Sequence, residues 1–550
     1  MSKINFLALG GLDEKYKSLN ILEIDSKMYI LDAGIYEPLK NNFGIQSFIP
    51  NLDYIVENKD KVKGIFLTTA IYHQIGAIIN ILKLVPDIKI YGSRITLNTL
   101  HIFFEKFSFS KNFNFLENGE EYEIGGIKVF PVELNSSIPG TFGYIFNSKD
   151  GNIFYFNNYA FDSLDEYKIP LLKNLNNFFD KDNLLFISDS LNMEIESSVS
   201  PKYKITKYIQ NSFSLKKRIV SFIYEEDFIN IMELIKLAKT YNKKIYFYEE
   251  KMLNFLNIIF SETKMKKYEK IYFLKKLKPE NEKEALIIIT GNKSNLYKKI
   301  QGIIAENNDE EFNFSKNDEI LLAAEPIPGN EHIFQDIVNG LSRYDSTIII
   351  PNKGEKFSIH PSRFDLKNFL SILKPKYLIP IRGYYKDFFL AKKMAVESGF
   401  PNENITIIDN GDVVEINDKR LIGKVRKIKN VGSKVIETIN DSEIHSAIIE
   451  ERKQLGKDGI LTISFMIDKK TKEIISNVDV QMRGVIFIKN QENLMKNIDE
   501  IIKKNVLELN ENWNLNKLIS NINKEVIKLL KATIKKVPII IIKIKENERK

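Results

Sequence analysis

The chain has 550 residues, 43% of them hydrophobic and 28% charged, which is the balance of a soluble globular protein and too long for one core, so roughly two to four domains are expected. The absence of cysteine excludes disulfides and Cys-ligated zinc or iron–sulfur sites, leaving His, Asp and Glu as metal-binding side chains. No apolar run approaches the roughly eighteen residues of a membrane span, and Met1 to Glu14 lacks a basic segment followed by a sustained apolar one, so a cytoplasmic protein with no membrane association is expected.

Short apolar segments dominate the opening. Ile4 to Leu9, Leu19 to Ile24 and Met28 to Leu31 are predicted strands, separated by the turn signals Gly10-Gly11 and Asp25-Ser26. Gly64 to Thr68 reads as a buried strand, and Ile75 to Leu84 keeps apolar residues at helical spacing. Tyr144 to Phe146 and Ile153 to Phe156 flank Lys149-Asp150-Gly151-Asn152, the turn chemistry of a hairpin. From about Val199 helices and strands alternate, with Ile219 to Tyr224, Lys244 to Tyr248, Ala285 to Thr290 and Glu319 to Ala323 as the buried strands of an α/β insert. Tyr377 to Ile381 is a further buried strand, and Ile405 to Ile408 and Val413 to Ile416 straddle Asn410-Gly411. The expected domains are residues 1–198 and 351–422 as two parts of one domain, 199–350 as the insert, 423–445 as a basic, glycine-punctuated linker, and 446–550 as a small α/β domain. In the last, Ile460 to Asp468, Lys472 to Val478 and Val537 to Ile544 are predicted strands, and Glu492 to Leu507 and Leu515 to Lys535 helices. The uninterrupted Ile539 to Ile542 suggests an edge covered by another subunit.

The net charge of +8 is modest, but it is clustered. Lys202, Lys204 and Lys207 alternate with Tyr203 and Tyr208, and Lys264 to Lys278 carries seven lysines among Tyr268, Tyr272 and Phe273. Basic residues interleaved with aromatics suit a polyanion with stackable bases; solvated lysine faces with buried aromatic stems are the alternative.

The run from Phe66 to Ala77, FLTTAIYHQIGA, has the frame of a metallohydrolase motif, Phe-Leu-Thr before His-x-His-x-Asp-His and a helix opening Ile-Gly-Ala. Further marks follow in order: Leu9-Gly10-Gly11 with Glu14, Leu31-Asp32-Ala33-Gly34, Ser137-Ile138-Pro139, Ser188-Asp189-Ser190 with Asn192, Pro326-Ile327-Pro328-Gly329-Asn330-Glu331, Lys374-Pro375-Lys376-Tyr377, Asn410-Gly411-Asp412 and Asp458-Gly459-Ile460. Together they resemble the ribonuclease J family along essentially the whole chain. The resemblance implies an α/β architecture: a metallo-β-lactamase αββα sandwich, an inserted β-CASP α/β domain, and a small C-terminal α/β domain for oligomerisation.

It also implies where two zinc ions and their ligands belong, and there this chain departs. Thr69, Ile71, His73 and Gln74 stand where the family has His, His, Asp and His; Ser136, Asn158 and Arg382 stand at the remaining ligand positions. No metal cofactor is therefore expected. An always-protonated guanidinium is a poor neighbour for two dications, so Arg382 either substitutes for their charge or meets Asp189 or solvent. The family's phosphate-holding segment is matched by Ser358, His360 and Ser362, with Ser362 alternatively capping a helix beginning near Arg363. Tyr224-Glu225-Glu226-Asp227 puts acid where the family has a phosphate-facing histidine, and Gly291-Asn292-Lys293-Ser294-Asn295-Leu296 replaces a terminal-nucleotide loop.

The resulting expectation is a degenerate second paralogue: a noncatalytic RNA-binding scaffold for RNA processing and mRNA decay. Its expected partners are RNA and an active ribonuclease J, or itself, as a homodimer or heterotetramer. The alternatives are a weak exoribonuclease or endoribonuclease using His73, Asp189, His360 and Arg382, and a plain RNA-binding protein without a ribonuclease partner.

Overall fold

Two strands that flank the long insert, Asn183–Asp189 and Tyr377–Ile381, lie side by side and parallel in the computed structural model, with Leu185 opposite Tyr377 and Asp189 opposite Ile381. The structure describes residues 2–38, 44–105, 107–108, 111–162, 171–179, 181–198, 205–263, 265, 269–274, 284–305, 312–327, 329–351, 360–437, 443–444, 446–485, 491–510 and 513–547. They form two compact units, residues 1–40 with 46–434, and residues 41–45 with 435–550.

In the first unit an eight-stranded sheet runs in the order Arg420–Lys427, Asp412–Asn417, Lys3–Gly10, Leu19–Ile24, Lys27–Leu31, Val62–Phe66, Ile90–Gly92, Phe113–Phe115. A six-stranded sheet, Tyr377–Ile381, Asn183–Asp189, Gly151–Phe156, Phe142–Ser148, Ile127–Glu133, Tyr122–Ile124, faces it. The apolar runs predicted as strands meet here: Phe6, Leu22, Tyr29 and Phe66 pack with Tyr144, Phe146, Ile187 and Ile379 in one core. The outer face of the second sheet is covered by helices Arg363–Leu373 and Tyr385–Glu397, where the Phe369 ring meets Phe156, Tyr159 and Phe186 edge-on or tilted. Arg94–Phe103 lies against Ile90–Gly92 and Phe113–Phe115 of the first sheet. Helix, sheet, sheet and helix thus make an αββα sandwich. The predicted hairpin is present, with Lys149-Asp150 as its two-residue tip between Ser148 and Gly151.

The insert is a six-stranded, all-parallel sheet in the order Ile271–Phe273, Lys244–Phe247, Ala285–Gly291, Ile219–Tyr224, Glu319–Leu322, Thr347–Ile349. Phe228–Thr240 and Glu250–Glu262 cover one face, Lys293–Ile304 and Glu331–Leu341 the other. Burial on both faces explains the near-continuous apolar strands.

Three expectations are corrected. The helix predicted from Ile75 to Leu84 is split into Tyr72–Ile75 and Ile78–Leu84, because carbonyls of the first turn are used elsewhere: Gln74 O accepts from Ala33 N at 2.7 Å and His73 O from Ile35 N at 3.0 Å. Gly76 allows that close approach, since a Cβ there would lie 2.1 Å from Ile35. The linker expected from Gly423 is strand as far as Lys427, the outermost of the eight, with Lys424 2.7 Å from Asp412. Lysine-rich, glycine-punctuated sequence is also the composition of a protected sheet edge.

The third lies in the second unit, where the strand predicted over 472–478 falls instead at Asp479–Arg483. Asp468 Oδ1 accepts from the backbone of Lys470 and Thr471, so the chain turns there and begins its return ladder only later. The sheet order is Asp479–Arg483, Ile460–Asp468, Ile539–Asn547, and one face packs on Gln491–Leu507 and Leu515–Ile534 through Ile463, Phe465, Ile498, Ile522 and Leu530. Helix Ser446–Asp458, for which the sequence reading had no element, precedes it. The isoleucine-rich strand stands at the edge of this sheet, with Ile541 50% exposed.

Candidate functional site

The ends of five neighbouring strands in the two sheets of the sandwich deliver the site residues to one edge. Asp32 follows Lys27–Leu31, Thr68 and Thr69 follow Val62–Phe66, Asn157 and Asn158 follow Gly151–Phe156, Asp189 ends its strand, and Arg382 follows Tyr377–Ile381. All are buried. Asn158 and Arg382 both turn with positive φ, +53° and +54°, and Gly383 fixes the second turn by exchanging backbone hydrogen bonds with Glu14.

Arg382 is 3% exposed, so the solvent-facing alternative is excluded. Its Nη1 donates to Asn157 Oδ1 at 3.1 Å and to Asn158 Oδ1 at 2.5 Å, and stands 3.9 Å from Asp189 Oδ2. Asn157 in turn donates to Asp32 Oδ2 at 3.1 Å. Asp32 also accepts from Thr68 N, Thr68 Oγ1 and Tyr155 Oη at 2.8 to 3.0 Å. Burial pushes the Asp32 carboxyl up, against these donors.

On the other side of Arg382, Asp189 Oδ2 accepts from Asn158 N at 3.2 Å and meets His360 Nδ1 at 2.8 Å. Burial opposes its ionisation, but His360 and Arg382 hold the carboxyl below the usual range. His360, buried and facing that guanidinium, is lowered to about 4 although Asp189 favours its charged form. The pair is thus an aspartate accepting from a neutral imidazole, beside a fixed cation.

The other ligand positions are occupied by groups engaged elsewhere or by no donor at all. Thr69 Oγ1 shares a hydrogen bond with Thr141 Oγ1 at 2.9 Å, and Ile71 is packed in the apolar core with Ala70, Ile138 and Phe228. Gln74 Nε2 reaches Thr68 Oγ1 at 3.3 Å and Asp32 Oδ2 at 3.5 Å. Ser136 Oγ, Asn158 Nδ2 and Arg382 Nε are buried without a hydrogen-bond partner among the described residues. Among the described residues no three His, Asp or Glu side chains converge as metal ligands. Two zinc ions need imidazole and carboxylate donors; a guanidinium, an isoleucine, hydroxyls and amides do not fit them.

His73 is set apart from Asp189 and His360. Its ring lies 4.7 Å from that of Tyr16, and Nε2 is 3.9 Å from Glu226 Oε2, which in turn pairs with Lys293 at 3.1 Å. Burial lowers His73 from 6.5 to about 4 despite Glu226. A buried base that the unfolded chain protonates more readily makes stability rise with pH between about 4 and 6.5, and fall as acid is added through that window. His73→Phe should therefore remove on the order of 2–3 kcal/mol of acid-side loss, read as a shallower dependence of the urea midpoint on pH. An unchanged slope would mean that His73 is readily protonated in the folded chain.

Of the three residues expected at phosphate, Ser358 lies outside the described residues. Ser362 is the helix cap, 0% exposed: its hydroxyl donates to Asp365 Oδ2 at 2.7 Å and accepts from Asp365 N at 3.3 Å, so phosphate could reach it only by undoing the capping box. His360 is held by Asp189. Of the lysine clusters, Lys202, Tyr203, Lys204, Lys264, Lys266, Lys267, Tyr268, Lys275, Lys276 and Lys278 also lie outside the described residues. Lys207 lies over the Tyr208 ring at 4.9 Å, and Tyr272 packs against Tyr246 at 5.5 Å while 36% exposed.

Sequence reasoning assigned Asn157 no partner and overlooked Tyr155. The carboxylate Asp32, quoted only as part of a family mark, could have been flagged as the one acid in Leu31-Asp32-Ala33-Gly34.

The sandwich with its spliced insert defines the class: an α/β metallo-β-lactamase-type fold carrying a β-CASP domain and a C-terminal domain. Residues 216–341 match the family description "Ribonuclease J, beta-CASP domain" and residues 447–547 match "Ribonuclease J C-terminal domain". A protein named Ribonuclease J 2 from Staphylococcus epidermidis is 29% identical over 552 aligned residues, covering 98% of this chain and 97% of that protein. A second Ribonuclease J 2, from Staphylococcus aureus, is 28% identical over 550, again covering 98% and 97%. A crystal structure of a protein of unknown function from Enterococcus faecalis V583 shares the fold at 12% identity and a TM-score of 0.51, over 75% of this chain and all of that one. The chain belongs to the ribonuclease J family, and so to proteins of RNA processing and decay. No helix among the described residues is long and apolar enough to cross a membrane.

Proposed function

We propose that this chain is a noncatalytic ribonuclease J subunit of the cytoplasm, without a metal pair. It binds RNA and pairs with an active ribonuclease J, or with a second copy of itself. Arg382 carries the reading: a buried guanidinium bonded to Asn157 and Asn158 occupies the place of the metals' charge. The exposed Ile541 on the edge strand of the C-terminal unit supports the pairing.

A feeble ribonuclease is the second reading, favoured by the Asp189–His360 contact of 2.8 Å. Acid–base help of that kind contributes about 10²- to 10⁴-fold, far short of what phosphodiester hydrolysis requires. The test is a pull-down of the tagged chain at near-physiological concentration, with decay of 5′-monophosphorylated RNA followed alongside. An active homologue should be retained, and the chain alone should leave the RNA intact. Two metal ions per chain by elemental analysis, with decay abolished by His360→Ala, would overturn the proposal.

A further inference from the structure

Beyond the Arg382 cluster, a cavity of about 340 Å³ opens between the sandwich and the insert. One wall is apolar, with Ile71, Ile102 and Phe103 from the sandwich facing Met252 and Phe255 from helix Glu250–Glu262. The other wall is acidic: Glu37, Glu225, Glu226 and Glu249 all border it.

These carboxylates differ in what they already hold. Glu226 pairs with Lys293 at 3.1 Å, and Glu249 with Lys299 at 2.5 Å while accepting from Thr290 N and Oγ1. Glu37 accepts from the uncharged Asn292 Nδ2 at 2.6 Å. Among the described residues the Glu225 side chain has no hydrogen bond or ion pair. Burial pushes it up to about 7, with Lys299 pulling down and Glu226, Glu249 and Glu37 adding to the rise. Lys251 is an exposed cation of the cavity wall.

His73 supplies an independent observation. It is 5% exposed, borders the same cavity, and neither ring nitrogen has a hydrogen-bond partner among the described residues. A neutral imidazole and an unpaired carboxylate bordering one cavity are two acceptors that suit a donor bringing positive charge. Phosphate would bring charge of the same sign as the four glutamates.

We propose that this cavity binds a small organic amine, with the ammonium against Glu225 and His73 and the apolar body on Ile71, Met252 and Phe255. The amine donates charge-assisted hydrogen bonds to the carboxylate and the imidazole while its hydrocarbon covers the apolar wall. The test needs neither RNA nor a partner subunit.

Calorimetric titration of the full chain with phenethylamine, phenethyl alcohol and phenyl phosphate tests it. Loss of a charge-assisted hydrogen bond corresponds to about tenfold or more in affinity, so the amine should bind at least that much tighter than the alcohol. The phosphate should not bind. Amine affinity should rise between about pH 6 and about pH 8 as Glu225 ionises. Glu225→Gln should weaken the amine about tenfold while leaving the melting temperature unchanged or raised, since one of several like charges is gone. Equal affinity for amine and alcohol in the unmodified chain overturns the proposal whatever the variant does, and so does tighter binding of the phosphate.

Discussion

Arg382→Ala is expected to lower unfolding stability by about 3–5 kcal/mol, the cost of removing one partner from a buried charged network. Asp189 would lose the cation 3.9 Å away, and the side-chain oxygens of Asn157 and Asn158 would lose their donor in a place without solvent. A urea midpoint moved by less than about 1 kcal/mol would show that the guanidinium is bystander rather than keystone. A second readout separates charge from packing. Arg382 is among the groups that keep His360 near 4, so its imidazole should titrate higher in the variant, measured by its ring-proton shifts. Linkage then has a definite sign. Asp189 is held low in the native chain, so its share of stability is present above the unfolded carboxylate range and is lost as pH falls through its folded value. Without Arg382 that loss should begin at higher pH.

Arg218→Ala should be comparably costly, about 3–5 kcal/mol, and for a contrasting reason. Here the guanidinium meets a carboxylate fork to fork: Nε to Asp318 Oδ1 at 2.8 Å and Nη2 to Oδ2 at 2.6 Å, with Asn313 O accepting at 2.9 Å and the Phe312 ring 5.2 Å away. Asp318 is 1% exposed, so the single change strands an anion inside the insert. Replacing both, as Arg218→Met with Asp318→Leu, should recover most of the loss in the same denaturation experiment, since no unpaired charge remains. If the double variant is as unstable as the single one, the energy lies in packing. Set beside this pair, Arg382 stands out: it is held mainly by two amides, which accept its protons without neutralising it.

Much of the architecture was legible in sequence because buried strands announce themselves. Ile219 to Tyr224 and Ala285 to Thr290 are almost wholly apolar, with Ser221 and Thr290 the exceptions, and the structure buries them on both faces. The erosion of the ligand positions could also be read directly, since Ile71 and Arg382 cannot be zinc donors whatever surrounds them. Two kinds of information were not readable. The break at Gly76 depends on the segment Ala33 to Ile35 claiming carbonyls of a helix some forty residues on, a tertiary demand that local periodicity does not register. The acidic cavity joins Glu37, Glu225 and Glu249, residues far apart in sequence; only the doublet Glu225-Glu226 was visible beforehand. The lysines of Arg420–Lys427 misled for a third reason, that a solvated edge strand and a linker share a composition.

The adjacency of Asn183–Asp189 and Tyr377–Ile381 also sets a clock on biosynthesis. About 190 residues separate Asp189 from the arginine beside it, and a ribosome adding about 5–20 residues each second needs about 10–40 s to make them. Through that interval the nascent sandwich has its aspartate and asparagines but not Arg382, and its second sheet ends at Asp189's strand with an open edge. The insert can fold meanwhile as its own parallel sheet, which leaves much less free chain between the two flanking strands. Closing a coil of that length would be slow and costly; closing a folded domain is not. The helical and strand order inside the insert is thus what lets the last strand find its place.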